Sequence, residues 1–262
     1  AYFGDGGPAL TATLDLPASL ARSPGGDLLI MDQANQVIRK IDSAGVISRF
    51  AGKCVIDAPP PTGGGACAPG VEPTPCPAPS GKFTCGGMAT CGAPCTPGYA
   101  GDGGPAIDMR MGQPFGQSAD PAGRIAFDPQ GNLYFADTAN QVIRKIDTQG
   151  IVTRVAGTPQ MAGYSGDGGP ALAAKLNNPV DLAFAPDGTL YVTDVYNHCV
   201  RKIAPNGTIS TAVGICGESG FAGDGEAPEA ALLKRPYGLE LADGVLYIAD
   251  TGNHAIRSVV LP

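Results

Sequence analysis

The 262-residue sequence contains no run of five like charges, and its formal net charge is −7. It lacks the basic footprint that binding to a phosphate backbone requires, which argues against a nucleic-acid partner. No stretch reaches the roughly 18 apolar residues that a helix needs to cross a bilayer, so no transmembrane segment is expected. The sequence opens on Ala1-Tyr2-Phe3-Gly4 instead of a charged and then apolar leader. It reads as soluble as given, with any signal peptide removed or lying outside it. Histidine is nearly absent, and neither HExxH nor a Ser-His-Asp set occurs around His198 and His254. The eight cysteines form no CxxC or CxxCH pair, which argues against a zinc ribbon, a thioredoxin-type redox pair and covalent c-type haem. Disulfides are the better assignment, and they imply an oxidising, extracytoplasmic compartment.

Turn formers are plentiful, with 39 glycines and 25 prolines, yet 43% of the residues are hydrophobic. A chain of this kind can bury a core and still turn often, as many short strands do. Internal repetition is plain. The segment Leu28-Leu-Ile-Met-Asp32-Gln-Ala-Asn35-Gln-Val-Ile-Arg39-Lys-Ile-Asp42 returns at 133–147, 190–204 and 246–260. Its copies align Asp32, Asp137, Asp194 and Asp250, then Asn35, Asn140, Asn197 and Asn253, then Arg39, Arg144, Arg201 and Arg257. Each unit also has a leader, Gly4-Asp-Gly-Gly-Pro-Ala9 and its matches at 101–106 and 166–171, with a degenerate copy at 223–228. The leaders lack the lysine of a phosphate-binding loop and do not join a strand to a long helix. After the third leader, Pro170-Ala-Leu-Ala-Ala-Lys-Leu176 can hold a single helical turn.

Within a unit, short apolar runs alternate with turn signals, as in Ile125-Ala-Phe, Pro129-Gln-Gly-Asn, Leu133-Tyr-Phe-Ala and Asp137-Thr-Ala-Asn. That pattern predicts a four-stranded antiparallel meander, A to D. The B strands are apolar without alternation, so both of their faces should be buried. Stacking each small sheet between two neighbours meets that demand and leaves short, protected edges. On these residues the sequence resembles the NHL-repeat family, in its bacterial variant with a GDGGPA leader followed by LYxADxxNxxIRKI. The resemblance implies an all-β, NHL-type β-propeller, with four repeats visible as blades in a single domain over 1–262. Strand D of the last unit is not seen. Either the four units close on themselves with one three-stranded blade, or they form part of a larger ring completed by self-assembly or another segment.

The spacing is 57 residues from Asp137 to Asp194 and 56 from Asp194 to Asp250, but 105 from Asp32 to Asp137, an excess of about 48. The insertion, 53–98, holds Cys54, Cys67, Cys76, Cys85, Cys91 and Cys95 with ten prolines and nine glycines. It has too little apolar surface to offset its ordering entropy and needs covalent staples. All six cysteines are expected to pair within it, in a connectivity that spacing cannot select. Cys199 in strand C and Cys216 past strand D can pair across the Asn206-Gly207 turn, with a tie from Cys216 to the insertion as the alternative.

The Asp-x-x-Asn turns and the histidines that follow two of them are the candidate binding set: Asp32, Asn35, Asp137, Asn140, Asp194, Asn197, His198, Asp250, Asn253 and His254. Asp and Asn also bond backbone amides in turns wherever such turns recur, which argues against a metal or catalytic role for any one copy. One arginine per unit suggests an ion pair between blades or a donor to turn carbonyls. A catalytic set should break the repeat, because catalysis needs unlike residues converging on one point, and no such break is evident outside the insertion. A binding scaffold for a protein or small ligand is therefore expected, with no catalytic residues and no cofactor. A subunit of a surface assembly or filament is one alternative, and a metal-dependent lyase or hydrolase is the other. In an A-to-D meander, the B-to-C turns and D-to-A crossovers share one face. That crossover face should gather the leader and turn aspartates, both histidines and the insertion, the last acting as rim or lid. Its carboxylates would favour a cationic group, a calcium ion or a basic partner surface, provided backbone amides do not consume their oxygens.

Overall fold

A computed structural model describes residues 2–54, 74–75, 83–84, 95, 97–114 and 122–261. The first sheet comprises strands A Pro17–Arg22, B Leu28–Asp32, C Val37–Ile41 and D Val46–Ala51, and the two-residue strand Gly7–Pro8 adds to the outside of D. The second runs Ile125–Phe127, Leu133–Asp137, Val142–Ile146 and Val152–Ala156, and the third Pro179–Phe184, Leu190–Asp194, Cys199–Ile203 and Ile209–Val213. The fourth has three strands, Pro236–Ala242, Val245–Asp250 and Ala255–Val260. All pairings within these sheets are antiparallel. Of the insertion, Thr74–Pro75 pairs with Phe83–Thr84. Cys67, Cys76, Cys85 and Cys91 lie outside the described residues.

Each A strand packs beside the A strand of the next sheet, so the A strands are innermost and the D strands outermost. The core lies between sheets. Leu29, Met31 and Ile38 of the first meet Ile125, Leu133 and Phe135 of the second. Ile143 and Ala156 meet Leu182 and Val192 at the next joint, and Tyr191 and Val200 meet Leu239 and Ile248 at the last. The B strands of the middle two sheets are buried almost throughout, as their unbroken apolar runs require. In the fourth sheet this expectation fails at Tyr247, which is exposed because no further described sheet covers it.

The four leaders fold alike, as hairpins over the perimeter. Phe3 bridges Thr13, Ala100 bridges Arg110, Ser165 bridges Lys175, and Ala222 bridges Leu232. Each hairpin encloses one short 3-10 turn, and the third is Ala171–Ala173, directly after Pro170. The leaders clamp successive sheets. Gly103 N–H donates to Val152 O of its own D strand at 2.8 Å, while Gly52 N–H at the end of the preceding D strand donates to Ala106 O at 2.9 Å. The third leader repeats both bonds, Gly168 N–H to Ile209 O and Gly157 N–H to Ala171 O. Glycine is required where each hairpin crosses itself: Gly166 has φ +95°, and a Cβ there would lie 2.8 Å from the Ala174 backbone.

Among the described residues the arc of sheets is open. Leu20 in the first A strand is 62% exposed, whereas its counterparts Ile125, Leu182 and Leu239 are 6 to 8% exposed beneath the preceding sheet. Ile256 in the last C strand is 71% exposed, whereas Ile38, Ile143 and Val200 are fully buried. The same difference predicts a contrast between two substitutions. Leu182→Glu buries an unpaired carboxylate and should cost more than about 3 kcal/mol in chemical unfolding. Leu20→Glu should stay within about 0.5 kcal/mol, and an equal loss at both sites would mean that the first sheet is covered in solution.

Candidate functional site

Each B strand ends in a 3-10 turn, such as Val195–Asn197, followed by a residue in the left-handed region: Gln36, Gln141, His198 or His254, with φ between 55° and 63°. The turn aspartates accept a backbone amide from the incoming crossover, Asp15 N–H to Asp32 at 2.7 Å, Gly112 to Asp137 at 2.6 Å, Asn177 to Asp194 at 2.7 Å and Lys234 to Asp250 at 2.7 Å. Their other oxygens accept from the side-chain amides of Asn35, Asn140, Asn197 and Asn253 at 2.8 to 3.0 Å. Asn140, Asn197 and Asn253 also donate to Gly98 O, Gly163 O and Gly220 O of the leaders.

Beneath each turn lies a guanidinium. Arg144 donates to Asp102 at 2.7 to 3.0 Å, to Asp137 at 3.2 Å, and to the Ala100 and Arg110 carbonyls. Tyr99 lies over its face at 4.9 Å. Arg39 and Arg201 repeat this with Asp5, Asp32 and Tyr2, and with Asp167, Asp194 and Tyr164; Arg257 repeats it with Asp224, Asp250 and Phe221. The arginines therefore make the expected ion pairs and carbonyl bonds, but to the leader of their own unit and not to a neighbouring blade.

These bonds already engage the turn residues expected as ligand contacts. Asp32, Asp137, Asp194 and Asp250 have no exposed surface, Asn35, Asn140 and Asn197 are buried, and Asn253 is tied to Asp250 and Gly220. The leader aspartates Asp5, Asp102, Asp167 and Asp224 likewise pair with the arginines, the first three partly buried and Asp224 exposed. A calcium site would need these oxygens to be free, and the residues present do not fit one. Among the described residues no group of three or more His, Cys, Asp or Glu could hold a metal ion.

The two histidines differ in their surroundings. Gln36 and Gln141 tie each turn to the next crossover, accepting the Gln113 and Asn178 amides at 2.6 Å. His198 takes the same role, its Nδ1 accepting the Arg235 amide at 3.1 Å. Burial and the nearby Arg235 and Lys234 charges hold its pKa below the ordinary imidazole value. His254 occupies the corresponding slot in the fourth sheet and is exposed.

A break in the repeat appears at this joint. Tyr196 stands where the other turns have Ala34, Ala139 and Gly252, and Lys234-Arg235 stands where the other crossovers have Asp15-Leu16, Gly112-Gln113 and Asn177-Asn178. Arg235 is exposed with its guanidinium 5.3 Å from the Tyr196 ring centre, and Tyr196 is 41% exposed. Sequence reasoning passed over this set because it compared the residues that repeat. Aligning the columns between them would have shown Ala, Ala, Tyr, Gly.

On the opposite face, a cleft of about 460 Å³ opens between the first and second sheets, with Leu29, Phe127 and Leu133 against it and Asp27 and Lys40 at its edge. At the next joint Tyr134, the counterpart of Leu29, packs edge to face on Phe184 at 4.8 Å and closes that space.

Cys199 pairs with Cys216, consistent with the register Val200↔Val213. Cys54 pairs with Cys95 over a separation of 41 residues, closing the insertion at its base. In a chain-entropy account such a closure contributes about 4 kcal/mol.

Burial raises the pKa of Asp32, Asp137 and Asp194 to about 6 against the opposing pull of amides, asparagines and arginines. These values lie above the unfolded-state value of 3.8, so between about pH 4 and 6 the folded chain holds protons that the unfolded chain has released. Their contribution to stability is greatest below about pH 4 and is lost as the pH rises through 6. Carboxyl carbon shifts followed by NMR should give three midpoints near 6. Relative to wild type, Asp194→Asn should gain about 2 kcal/mol as the pH is raised from 4 to 7. Midpoints below 4 would contradict the assignment.

The NHL repeat model matches residues 176–203, which hold the B strand and turn of the third sheet. Mouse Teneurin-3 is 27% identical over 270 residues, covering 98% of this chain and 8% of that protein. Protein SUPPRESSOR OF QUENCHING 1, chloroplastic, of Arabidopsis thaliana is 32% identical over 151 residues, 55% of this chain and 14% of that one. The chain thus spans no more than 14% of the length of these curated relatives. A solved Bacteroides thetaiotaomicron protein of unknown function superposes with a TM-score of 0.60 at 15% identity, and an auxiliary nutrient binding protein of the same bacterium with 0.53 at 16%. Each match covers 92% of this chain and 46% of the other. Identity this low speaks to the fold alone. The matched residues are one of four in-phase units with one architecture, so the chain carries an NHL-type repeat in an all-β, propeller-like fold.

Proposed function

We propose that the protein is an extracytoplasmic binding scaffold that engages a ligand or protein partner on its crossover face, at the joint of the third and fourth sheets. The observation that carries this is the break in the repeat: Tyr196, Lys234 and Arg235 are exposed where the other units place small, uncharged or acidic residues. The framework beneath them is rigid, because Asp194, Asp250 and His198 all bond to the Asn177–Arg235 backbone set that carries the crossovers. Arg235 against the Tyr196 ring, with exposed Lys234 next to it in sequence, suits an anionic group on the ligand, in place of the cationic group expected on condition that backbone amides leave the carboxylates free. The two disulfides among the described residues support an oxidising compartment. Solved structures described as auxiliary nutrient binding proteins share the fold, which supports binding in general. The Cys54–Cys95 disulfide fixes the base of the insertion in the first D-to-A crossover, and the expected rim or lid lies outside the described residues. A lyase or hydrolase would need acid and base groups facing solvent, and the turn carboxylates are taken by the framework.

Isothermal titration with a panel of small carboxylates, phosphates and sulfated sugars tests this. At least one class should bind, and Lys234→Ser with Arg235→Ser should weaken it by about tenfold or more, with the melting temperature unchanged. Binding that is insensitive to those changes but lost in Leu29→Tyr, which fills the cleft between the first two sheets, would move the site to the opposite face.

A further inference from the structure

Position by position along the B strands, Leu29 stands where the other three sheets have Tyr134, Tyr191 and Tyr247. In the second and third sheets the tyrosine fills the gap to the next sheet. Tyr134 meets the Phe184 ring edge to face at 4.8 Å, and Tyr191 is buried in the cluster that holds Leu239 and Leu246. Their phenols lie by the A-to-B turn of their own sheet. Burial and then the Asp128 carboxylate of that turn push the Tyr134 phenol up to about 12, and burial and then Asp187 raise that of Tyr191. The first joint keeps the walls of this arrangement without the tyrosine. Phe127 takes the place of Phe184, and Phe50 adds a second ring where the later sheets have Val155 and Ala212. Ser23 and Asp27 belong to the A-to-B turn there, and Asp27 pairs with Lys40 at 3.3 Å. Among the described residues no side chain fills the space, and the cleft of about 460 Å³ remains. That volume lies in the range of small-molecule pockets.

We propose that the cleft between the first and second sheets binds a small phenol, whose ring takes the position that tyrosine holds at the next two joints. The Phe127 and Phe50 rings offer the edge-to-face contact that Phe184 gives Tyr134, over a floor of Leu29, Leu133 and Ile146. At the mouth, the Asp27 carboxylate is placed to accept the hydroxyl, as Asp128 accepts that of Tyr134. The same pose decides between a free phenol and a tyrosine carried by a peptide. In Tyr134 the end of the ring opposite the hydroxyl joins strand B, inside the core. A ligand ring in that pose ends against Leu29, which is 1% exposed, so no path leads a peptide backbone out. The substituent at that end is therefore small and uncharged, because it meets only apolar groups. This site lies on the face away from Tyr196 and Arg235 and does not depend on the binding proposed there.

The probe is p-cresol, the tyrosine side chain without its backbone, titrated into the whole chain and followed by calorimetry and backbone amide NMR shifts. It should bind saturably with a Kd below about 1 mM and shift the amides of the turns that line the cleft, 23–27 and 147–150. Toluene, which lacks the hydroxyl, should bind about fivefold more weakly. Leu29→Tyr places the ring of the other units in the cleft and should abolish binding, with the melting temperature no lower than that of wild type. Phe127→Leu, which installs the residue found at Leu241 in the fourth sheet, should weaken binding by about fivefold. The double variant Lys234→Ser with Arg235→Ser should bind p-cresol as wild type does, so the two sites succeed or fail separately. Absence of saturable binding up to about 10 mM, equal binding of toluene, or unchanged affinity in Leu29→Tyr would each overturn the proposal. So would tighter binding of N-acetyltyrosine amide than of p-cresol, because the occupant would then be a peptide side chain.

Discussion

The guanidinium of each C strand, fully buried in the first three sheets, is the interaction on which this architecture depends. Arg144 lies against two carboxylates, two carbonyls and the rings of Tyr99 and Phe135, groups supplied by the leader hairpin, the B strand and the B-to-C turn of the same unit. A cation removed from water is tolerated only with its hydrogen-bonding capacity filled and its charge balanced, so burying the arginine dictates where the leader hairpin and the B-to-C turn must lie. Leader and turn are otherwise made of glycine, proline and short polar residues with little apolar surface of their own. Without the arginine they would have little to hold them against a sheet.

That arrangement has a consequence for function. It engages the carboxylates that would be the obvious ligand contacts, in every unit, although Asp224 stays exposed, so the recurring polar residues serve the framework. On the proposed function, binding chemistry is left to positions that the framework does not use. Tyr196 and Arg235 are such positions: the backbone amide of Arg235 is held by His198, while its guanidinium is exposed beside the Tyr196 ring. A rigid backbone with unconstrained side chains is a sound basis for a recognition surface, because little ordering entropy is left for the ligand to offset.

The joints between sheets follow the same division of labour. Gln36, Gln141 and His198 reach across to the next crossover, and the leaders clip consecutive D strands together. Such a joint is made by two consecutive units and cannot be completed by one. Ile256, Tyr247 and His254 in the last sheet and Leu20 in the first are exposed for that single reason, since their counterparts are buried by a neighbour.

Local pattern was sufficient for the meander, the phase of the four units, the Cys199–Cys216 pairing and the helical turn after Pro170, because each depends on residues close in sequence: alternation, turn chemistry and register around Asn206-Gly207. The resemblance carried by the leader and Asp-x-x-Asn-x-x-Ile-Arg motifs was enough for the stacking of sheets. What the aspartates and histidines do could not be read this way. Whether Asp137 is free for a ligand depends on Gly112, Asn140 and Arg144 converging on it, and whether Tyr196 is exposed depends on the crossover 39 residues later that brings Arg235 against it. Sequence by itself determined which residues recur and what elements they form. Only the tertiary structure decided which polar groups are satisfied internally, because burial and hydrogen bonding are properties of neighbours brought together across the fold and not of any one segment.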